Sequence, residues 1–301
     1  MMNFLSVEDF SKSQIEEIFK IADELREGKC ELALKPGAIA VLLFEKPSTR
    51  TRISFEVAMA QLGGNYIYID PVTTQLSRGE TWSDTAKVLS SYVDFIICRL
   101  YKHETLLEIA KSSTVPVINA LTDQEHPAQA LGDLYTIREA KGRLKGLKMA
   151  LFGDTANNTF NSLMIAGAMM GMEIALIGPK ANVPNVKFVS KAKEYGIVKL
   201  FDDLAEGVEG SDVLYTDTFV SMGEEAEADL RRKLFMPYQI NQRVLEMADS
   251  KAVVMHPLPA HRGEEITGDV LDGKQSIAFE QAKNKLLIEK AIILYIAGQE
   301  S

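Results

Sequence analysis

FEKPSTRTR, residues 44–52, follows an apolar run at 38–43 and precedes an amphipathic pattern that continues to Leu62. This order predicts a buried strand that ends at the N-terminus of a helix. The stretch carries three hydroxyls and two guanidinium groups, those of Ser48, Thr49, Thr51, Arg50 and Arg52. Because the first backbone N–H groups of a helix are unpaired, these side chains could complete a phosphate site. The alternative is an ordinary capped helix with solvated arginines.

Composition limits the classes of protein to which the chain can belong. Its 301 residues suggest about two domains, and 46% hydrophobic residues can form a core in each. A net charge of -9 argues against a nucleic-acid partner, so an anion site must be local. The absence of a long apolar run or a signal-like N-terminus predicts a cytoplasmic protein without membrane contact. The two thiols, Cys30 and Cys98, lack metal-type spacing, so we expect neither a disulfide nor a metal site.

Short β-branched runs alternate with helical periodicity along most of the chain. The runs lie at 38–44, 65–69, 95–100, 115–119, 148–152, 173–177, 213–216 and 252–255. The alternation predicts an α/β protein with two doubly wound domains, each a parallel sheet with helices on both faces. Functional residues should lie at the carboxyl ends of the strands.

A charged segment at 138–148, punctuated by glycine, interrupts this pattern once. It predicts a first domain at 1–140, with the first four strands, and a second at 141–279, with the last four. The final helix, within 280–301, carries apolar residues at helical spacing, and we expect it to pack back on the first domain.

Three further residues follow strands of the first predicted sheet. Arg99 lies at the end of the run 95–100, and His126 and Gln129 flank the start of the next helix. At the same edge as residues 48–52, they could converge on one ligand, although a structural histidine with a surface glutamine is the alternative. Gln75 lies in a polar loop that could equally be a surface connection.

The second half has its own polar strand ends. Residues 153–158 open a helix without the glycine fingerprint G-x-G-x-x-G, so we reject a dinucleotide site. The amides of Asn157 and Asn158 suit the carboxylate of a small zwitterion. Asp217, followed by Ser221-Met222-Gly223, could bind an ammonium group, and a helix-capping aspartate is the alternative. Two prolines follow the run 252–255 and permit a cis bond.

Taken together, the motifs resemble one family. They are S-T-R-T-R, Arg99, H-P-A-Q, Asp217 with S-M-G, and H-P-L-P-A-H-R-G-E-E. Their order and approximate spacing are those of the aspartate/ornithine carbamoyltransferases, and the resemblance runs from about residue 2 to residue 298. F-E-K-P-S-T-R-T-R-I-S-F-E, R-G-E-T-W-S-D-T-A and A-H-R-G-E-E look like the ornithine-specific members. The resemblance implies carbamoyl transfer from carbamoyl phosphate to the δ-amine of L-ornithine, without a cofactor, in a homotrimer or a multiple of trimers.

The resemblance also implies roles for individual residues. Those that bind carbamoyl phosphate are Ser48, Thr49, Arg50, Thr51, Gln75, Arg99, His126, Gln129, Pro257, Leu258 and Lys285, with Arg99 and His126 catalytic and Gln75 reaching a neighbouring subunit's site. Those that bind ornithine are Asn158, Asp217, Ser221 and Met222. The H-P-L-P motif implies a cis bond between Leu258 and Pro259.

Two positions depart from the ornithine-specific pattern. Those members usually carry H-C-L-P, whereas this chain has Pro257, as aspartate-specific members do. They also usually have an arginine where this chain has Lys285, and a lysine lacks the bidentate donor fork. Aspartate is therefore the alternative acceptor, and putrescine is a third candidate acceptor. The alternative that is not an enzyme is a paralogue that has kept the fold without the activity. The acidic run at 224–227 argues against a dicarboxylate.

Overall fold

The computed structural model describes residues 2–29, 33–220 and 225–299. In these three ranges, no helix combines the length and the apolar composition needed to cross a membrane. Cys98 is a free, buried thiol, and burial raises the pKa of this group above its ordinary value. Cys30 lies outside the described residues, so the prediction of no disulfide is not tested.

The chain divides into two compact units. Unit 1 comprises Met1–Gly132 with Asn284–Ser301, and unit 2 comprises Asp133–Lys283. Both boundaries fall inside helices, Pro127–Lys141 and Ala278–Gly298. A helix that continues across a boundary shows no change of composition there, and the sequence accordingly predicts the boundaries a few residues away, at 140/141 and 279/280.

Unit 1 contains one parallel sheet. Its strands are β1 (Ile39–Phe44), β2 (Asn65–Ile69), β3 (Phe95–Arg99) and β4 (Val117–Leu121), in the order β2-β1-β3-β4. Its helices are α1 (Lys12–Arg26), α2 (Arg50–Gln61), α3 (Trp82–Ser90), α4 (His103–Ser112), the first part of α5 (Pro127–Lys141) and the second part of the final helix. Short 3-10 helices span Val7–Asp9, Pro71–Thr73 and Gln75–Arg78.

Unit 2 contains a second parallel sheet. Its strands are β5 (Lys148–Phe152), β6 (Glu173–Ile177), β7 (Val198–Phe201), β8 (Val213–Thr216) and β9 (Val253–Met255), in the order β7-β6-β5-β8-β9. Its helices are α6 (Asn158–Met169), α7 (Val186–Tyr195), α8 (Leu204–Val208), α9 (Ala228–Phe235), α10 (Gln242–Met247), α11 (Gly268–Leu271) and the first part of α12 (Ala278–Gly298). Short 3-10 helices span Glu225–Glu227 and Met236–Tyr238.

The fold prediction is confirmed, with one strand missed. Both sheets are parallel, their central strands are buried, and helices pack around them. The sequence predicts four strands in the second sheet, whereas the structure has five, because β7 was not recognised. β4 also begins two residues later than the predicted run at 115–119.

The strand order indicates one edge of each sheet as the place for a ligand. In unit 1 the chain runs from β1 to β2 on one side of β1 and then crosses to β3 on the other side. In unit 2 it runs from β5 to β6 and β7 on one side of β5 and then crosses to β8 on the other side. Ligands of open parallel sheets bind at the carboxyl ends of such neighbouring strands. Gly153, with φ +94°, makes the turn that follows β5, and a Cβ atom there would lie 2.9 Å from the Phe219 ring.

Candidate functional site

In unit 1, the start of α2 has the geometry of an anion site. The Ser48 hydroxyl accepts a hydrogen bond from the Thr51 N–H group at 3.2 Å, so Ser48 caps the helix. Thr49, at the capping position, makes no such side-chain bond. The Thr51 side chain is buried, although it is polar. The helix therefore begins with hydroxyls and backbone N–H groups, the groups that bind phosphates elsewhere.

The two arginines of this stretch differ in their surroundings. Arg52 donates to the Glu56 carboxylate at 2.8 Å, and its guanidinium carbon lies 3.6 Å from the centre of the Tyr68 ring. The Nε donor of Arg52 is therefore already used by Glu56, and the expectation that Arg52 offers a donor fork to phosphate stays a prediction. Arg50 is the first residue of α2, and its charge lowers the pKa of Arg99. Of the two, Arg50 is the one electrostatically linked to the pocket.

Arg99 presents a buried cation at the same sheet edge. It ends β3 and lies in register with Phe44, the last residue of β1. Only 6% of the residue is exposed, and its Nε atom has no hydrogen-bond partner in the described part of the chain. Burial, followed by the charge of Arg50, lowers the pKa of Arg99 to about 10. A buried guanidinium donor of this kind is suited to an anionic ligand.

His126 immediately precedes α5, as the sequence predicts, and it is buried. Burial lowers the pKa of His126 well below its ordinary value, and the charges of Lys285 and Arg99 act in the same direction. The imidazole is therefore neutral at physiological pH. A neutral imidazole can donate a hydrogen bond to a carbonyl oxygen without adding a charge to the pocket.

Lys285 connects three helices of unit 1. Its Nζ atom donates to the Thr51 hydroxyl of α2 at 2.8 Å and to the Gln129 carbonyl oxygen of α5 at 3.0 Å. Lys285 and Gln129 are both buried. The structure thus brings together most of the predicted carbamoyl-phosphate residues: Ser48, Thr49, Arg50, Thr51, Arg99, His126, Gln129 and Lys285. We call this set the anion pocket.

Three predicted carbamoyl-phosphate residues are not members of this set. Gln75 is exposed on the 3-10 helix Gln75–Arg78, outside the contacts that form the anion pocket. Pro257 and Leu258 lie in unit 2 and are half-buried. The roles of these three residues in binding carbamoyl phosphate stay predictions.

The H-P-L-P loop follows β9 and is held by a buried histidine. The His256 Nδ1 atom accepts a hydrogen bond from the Leu258 N–H group at 2.9 Å, so the ring proton lies on Nε2, 3.0 Å from a Glu265 oxygen. The bond between Leu258 and Pro259 is cis, which confirms that prediction, and Leu258 has φ +54°. The sequence analysis missed the pairing of His256 with Glu265, two members of the same motif.

Unit 2 also brings the predicted amino-acid residues together. Asn157 and Asn158 both accept a hydrogen bond from the Thr159 N–H group, at 2.7 and 2.9 Å, where α6 begins. Asp217 follows β8, accepts from the Thr218 N–H group at 2.7 Å and is hydrogen-bonded to the Thr159 side chain. Asn158 and Asp217 thus lie at the same strand ends, those of β5 and β8.

The environment of Asp217 favours the binding of a cation. Burial raises the pKa of Asp217, while the nearby His256 lowers it and Glu265 raises it. An ammonium ligand would oppose the effect of burial and favour the charged carboxylate. Ser221 and Met222, the other two predicted ornithine residues, lie outside the described residues.

Two other features of unit 2 do not belong to these residues. A cavity of about 250 Å³ is lined by apolar residues such as Leu176 and Phe201 and by polar ones such as Lys180 and Asp202, with none of the predicted site residues. His261, Glu264 and Glu265 offer ligand atoms within 4.8 Å of one another. Since Arg232 already pairs with Glu264 at 3.0 Å and Glu265 with His256, this cluster does not point to a metal ion.

Comparison with known proteins identifies the relatives of this chain. A model of the aspartate/ornithine carbamoyltransferase carbamoyl-P binding domain matches residues 2–139, and a model of the Asp/Orn binding domain matches residues 145–296. An ornithine carbamoyltransferase of Pyrobaculum calidifontis is 45% identical over 310 residues, covering 100% of each chain. That of Archaeoglobus fulgidus is 46% identical over 306 residues, covering 100% of this chain and 99% of the relative.

A solved structure agrees with the sequence relatives. The ornithine carbamoyltransferase from Pyrococcus furiosus superposes with a TM-score of 0.93 at 43% identity, covering 98% of this chain and 97% of that one. The similarity therefore extends over both units.

Proposed function

The chain belongs to the aspartate/ornithine carbamoyltransferase family, and we propose that it transfers the carbamoyl group of carbamoyl phosphate to the δ-amine of L-ornithine. The products are L-citrulline and phosphate. The observation that carries the proposal is the anion pocket, where the Lys285 ammonium binds Thr51 and Gln129 beside a neutral His126. The full-length similarity to ornithine carbamoyltransferases favours ornithine over the other acceptors.

We assign the phosphate of the donor substrate to the start of α2. The hydroxyls of Ser48 and Thr51, the first N–H groups of the helix and the Arg50 guanidinium supply donors of both neutral and charged types. Charge-assisted hydrogen bonds are the stronger type, and Arg50 is therefore the main determinant of phosphate affinity. Thr49 contributes its hydroxyl to the same cradle.

The carbamoyl group lies next to Arg99, His126 and Gln129 in this proposal. When the neutral δ-amine attacks the carbonyl carbon, the new C–N bond forms and the carbonyl oxygen becomes an oxyanion. The Arg99 guanidinium and the His126 imidazole donate hydrogen bonds to that oxygen. One such preorganised donor is typically worth roughly 3–4 kcal/mol of transition-state stabilisation.

The intermediate then collapses without a redox step. The C–O bond to phosphate breaks, phosphate leaves with the electron pair, and the nitrogen loses one proton, which the departing phosphate can accept. Holding the reacting groups in orientation can supply roughly 7–11 kcal/mol, so positioning is the main task of the site.

We assign the amino-acid end of ornithine to unit 2. The Asp217 carboxylate pairs with the α-ammonium group, and the Asn158 amide binds the α-carboxylate at the start of α6. The adjacent Ser221 and Met222 complete this assignment from sequence alone. The specificity for an α-amino acid depends on these two contacts together, because a simple diamine such as putrescine lacks the α-carboxylate that Asn158 binds.

Pro257 is the observation that favours aspartate as a second acceptor. Residue 257 would lie beside the side-chain end of the acceptor, and proline carries no charge that could select a carboxylate. The acidic run at 224–227 would repel a second carboxylate. Ornithine therefore remains the preferred acceptor.

We further propose a cytoplasmic homotrimer or multiple of trimers. Ile53, Tyr66 and Ile67 are apolar and exposed, the latter two on the edge strand β2, and such residues on an edge suit an interface between subunits. Gln75 is exposed and could reach a neighbouring subunit's site. Light scattering of the purified chain should give three, or a multiple of three, chain masses, and a monomer would contradict the assembly.

The acceptor is tested by comparing ornithine, aspartate and putrescine at equal concentration with carbamoyl phosphate. We expect product to form fastest with ornithine, measured as citrulline together with released phosphate. Faster carbamoylation of aspartate would overturn the assignment, and an inactive protein that still binds both substrates would favour the non-catalytic alternative.

A further inference from the structure

Glu289 is a buried carboxyl group beside the anion pocket. It lies on α12, four residues after Lys285, and the residue is 0% exposed. Residues at this spacing share one face of a helix. Neither carboxyl oxygen has a hydrogen-bond partner of good geometry in the described ranges of the chain. A buried carboxylate without such partners is costly, so its ionisation must depend strongly on nearby charges.

Two groups act on Glu289 directly. Burial raises the pKa of Glu289 to about 8, and the Lys285 ammonium and the Ser54 hydroxyl of α2 lower it. Ser54 also donates to the Thr51 carbonyl oxygen at 3.2 Å, which ties this part of α2 to the start of the pocket. The carboxyl group is therefore partly ionised in the range where enzymes work.

Several other charged groups of these helices have partners of their own. On α12, Lys290 donates to the Gln61 side-chain oxygen at 3.0 Å. On α2, Arg52 pairs with Glu56. On α1, Arg26 donates to Asn284 at 2.9 Å. His126 and Arg99 interact electrostatically with each other within the anion pocket. Lys285 is thus the cation through which Glu289 can sense the pocket.

We propose that Glu289 is a positioning residue for Lys285 and that its protonation is coupled to the binding of carbamoyl phosphate. The inference deepens the proposed function, because it takes the bound anion to be the phosphate of that substrate. When the pocket is empty and the pH is high enough to ionise Glu289, its carboxylate attracts the Lys285 ammonium. When the dianionic phosphate binds, two anionic groups compete for one ammonium, and Glu289 takes up a proton from solvent.

The sign of the effect follows from the two states. Bound phosphate raises the pKa of Glu289 above its value in the empty pocket, about 8. Affinity for carbamoyl phosphate is therefore constant below about pH 8 and falls as pH rises through that value. Little affinity is lost between about pH 7 and about pH 8, where the Glu289 carboxyl group is mostly protonated, and most of the loss occurs above pH 8. The dissociation constant should therefore increase roughly tenfold between about pH 7 and about pH 9.

A lysine suits this arrangement better than an arginine. Its ammonium is a compact charge on a flexible stem with three rotatable donors. Such a group can turn between the Thr51 hydroxyl, the Gln129 oxygen and a phosphate, and it responds to a carboxyl group one helical turn away. The inference thus gives a role to Lys285, where the ornithine-specific members usually have an arginine.

The test compares Glu289→Gln with Glu280→Gln, the same change at an exposed position of the same helix. Binding of carbamoyl phosphate is measured by calorimetry on the full chain, without an amino acid, from about pH 7 to about pH 9. The unmodified protein and Glu280→Gln should show the roughly tenfold loss of affinity, and Glu289→Gln should change less than about twofold. An identical pH profile in all three proteins would overturn the inference.

A second measurement needs no variant. With the unmodified protein near pH 8.5, calorimetry in buffers of different ionisation enthalpy should report uptake of roughly 0.7–0.8 proton per bound carbamoyl phosphate. No uptake would overturn the coupling even if Glu289→Gln fails to fold. Turnover assays separate the proposed function from the role of Glu289. If no citrulline forms, the proposed function is contradicted. If turnover is normal but no proton is taken up, only the role of Glu289 is contradicted.

Discussion

Replacing Arg50 by alanine separates phosphate binding from folding. Arg50 is exposed at the first position of α2, where a positive charge opposes the helix dipole. Alanine is also a better helix former, so stability should stay the same or increase slightly. The loss falls on the substrate, since each charge-assisted hydrogen bond contributes about 1.5–3 kcal/mol. One or two such bonds total about 1.5–6 kcal/mol, or roughly 10-fold to 10⁴-fold in kcat/KM, and we expect a fall near the middle of this range, about 10²–10³-fold.

Arg52→Ala is the matched control, because it removes the same side chain two residues further along the same helix. Its guanidinium is engaged by Glu56 and Tyr68, so the KM for carbamoyl phosphate should not change. Steady-state kinetics with each substrate varied in turn, together with thermal unfolding of both variants, gives the comparison. Full activity of Arg50→Ala, equal losses in both variants, or unfolding of Arg50→Ala alone would refute the assignment.

Three further predictions concern the acceptor and the catalytic histidine. Asp217→Asn should raise the KM for ornithine by an amount equivalent to about 2–5 kcal/mol, with the KM for carbamoyl phosphate unchanged in steady-state kinetics. Pro257→Cys should bind ornithine more tightly in calorimetry without gaining activity toward aspartate. Because burial lowers the pKa of His126, the pH profile of kcat should show no histidine ionisation near pH 6.5. An ionisation near pH 6.5 that disappears in the His126→Asn variant would contradict a neutral imidazole.

The fold follows from sequence wherever strands are buried on both faces. Strands such as β1 and β6 are predicted from their apolar runs, because every side chain after their first residue is buried. β7 was missed because it is a short edge strand in which Lys199 and Leu200 are exposed, so its composition resembles that of a loop. Edge strands are specified by their neighbour in the sheet, here β6, and that information is not local.

The site shows a similar division between local and distant information. The sequence treats Arg50 and Arg52 as equivalent, yet the four-residue spacing between Arg52 and Glu56 already indicates a helix-surface pair. The contact between Lys285 and Thr51 joins positions far apart in the chain, and without the resemblance nothing in the sequence would indicate it. Glu289 offered no signal at all, because a glutamate in a helix is usually solvated.

The acidic charge of the chain and its affinity for an anion are compatible because the cations are concentrated in one place. At -9 the whole molecule repels a phosphate at long range, and salt screens that repulsion. Inside the anion pocket, Arg99 and Lys285 are buried, so their attraction for a bound phosphate is screened much less. Added salt should therefore help a phosphate to approach the protein more than it weakens the contacts of the bound phosphate with Arg99 and Lys285. A surface patch of lysines would behave in the opposite way, losing affinity steeply as salt increases. Burial of Arg99 and Lys285 in one pocket thus gives an acidic protein a selective site for a small phosphate, without making its surface attractive to polyanions.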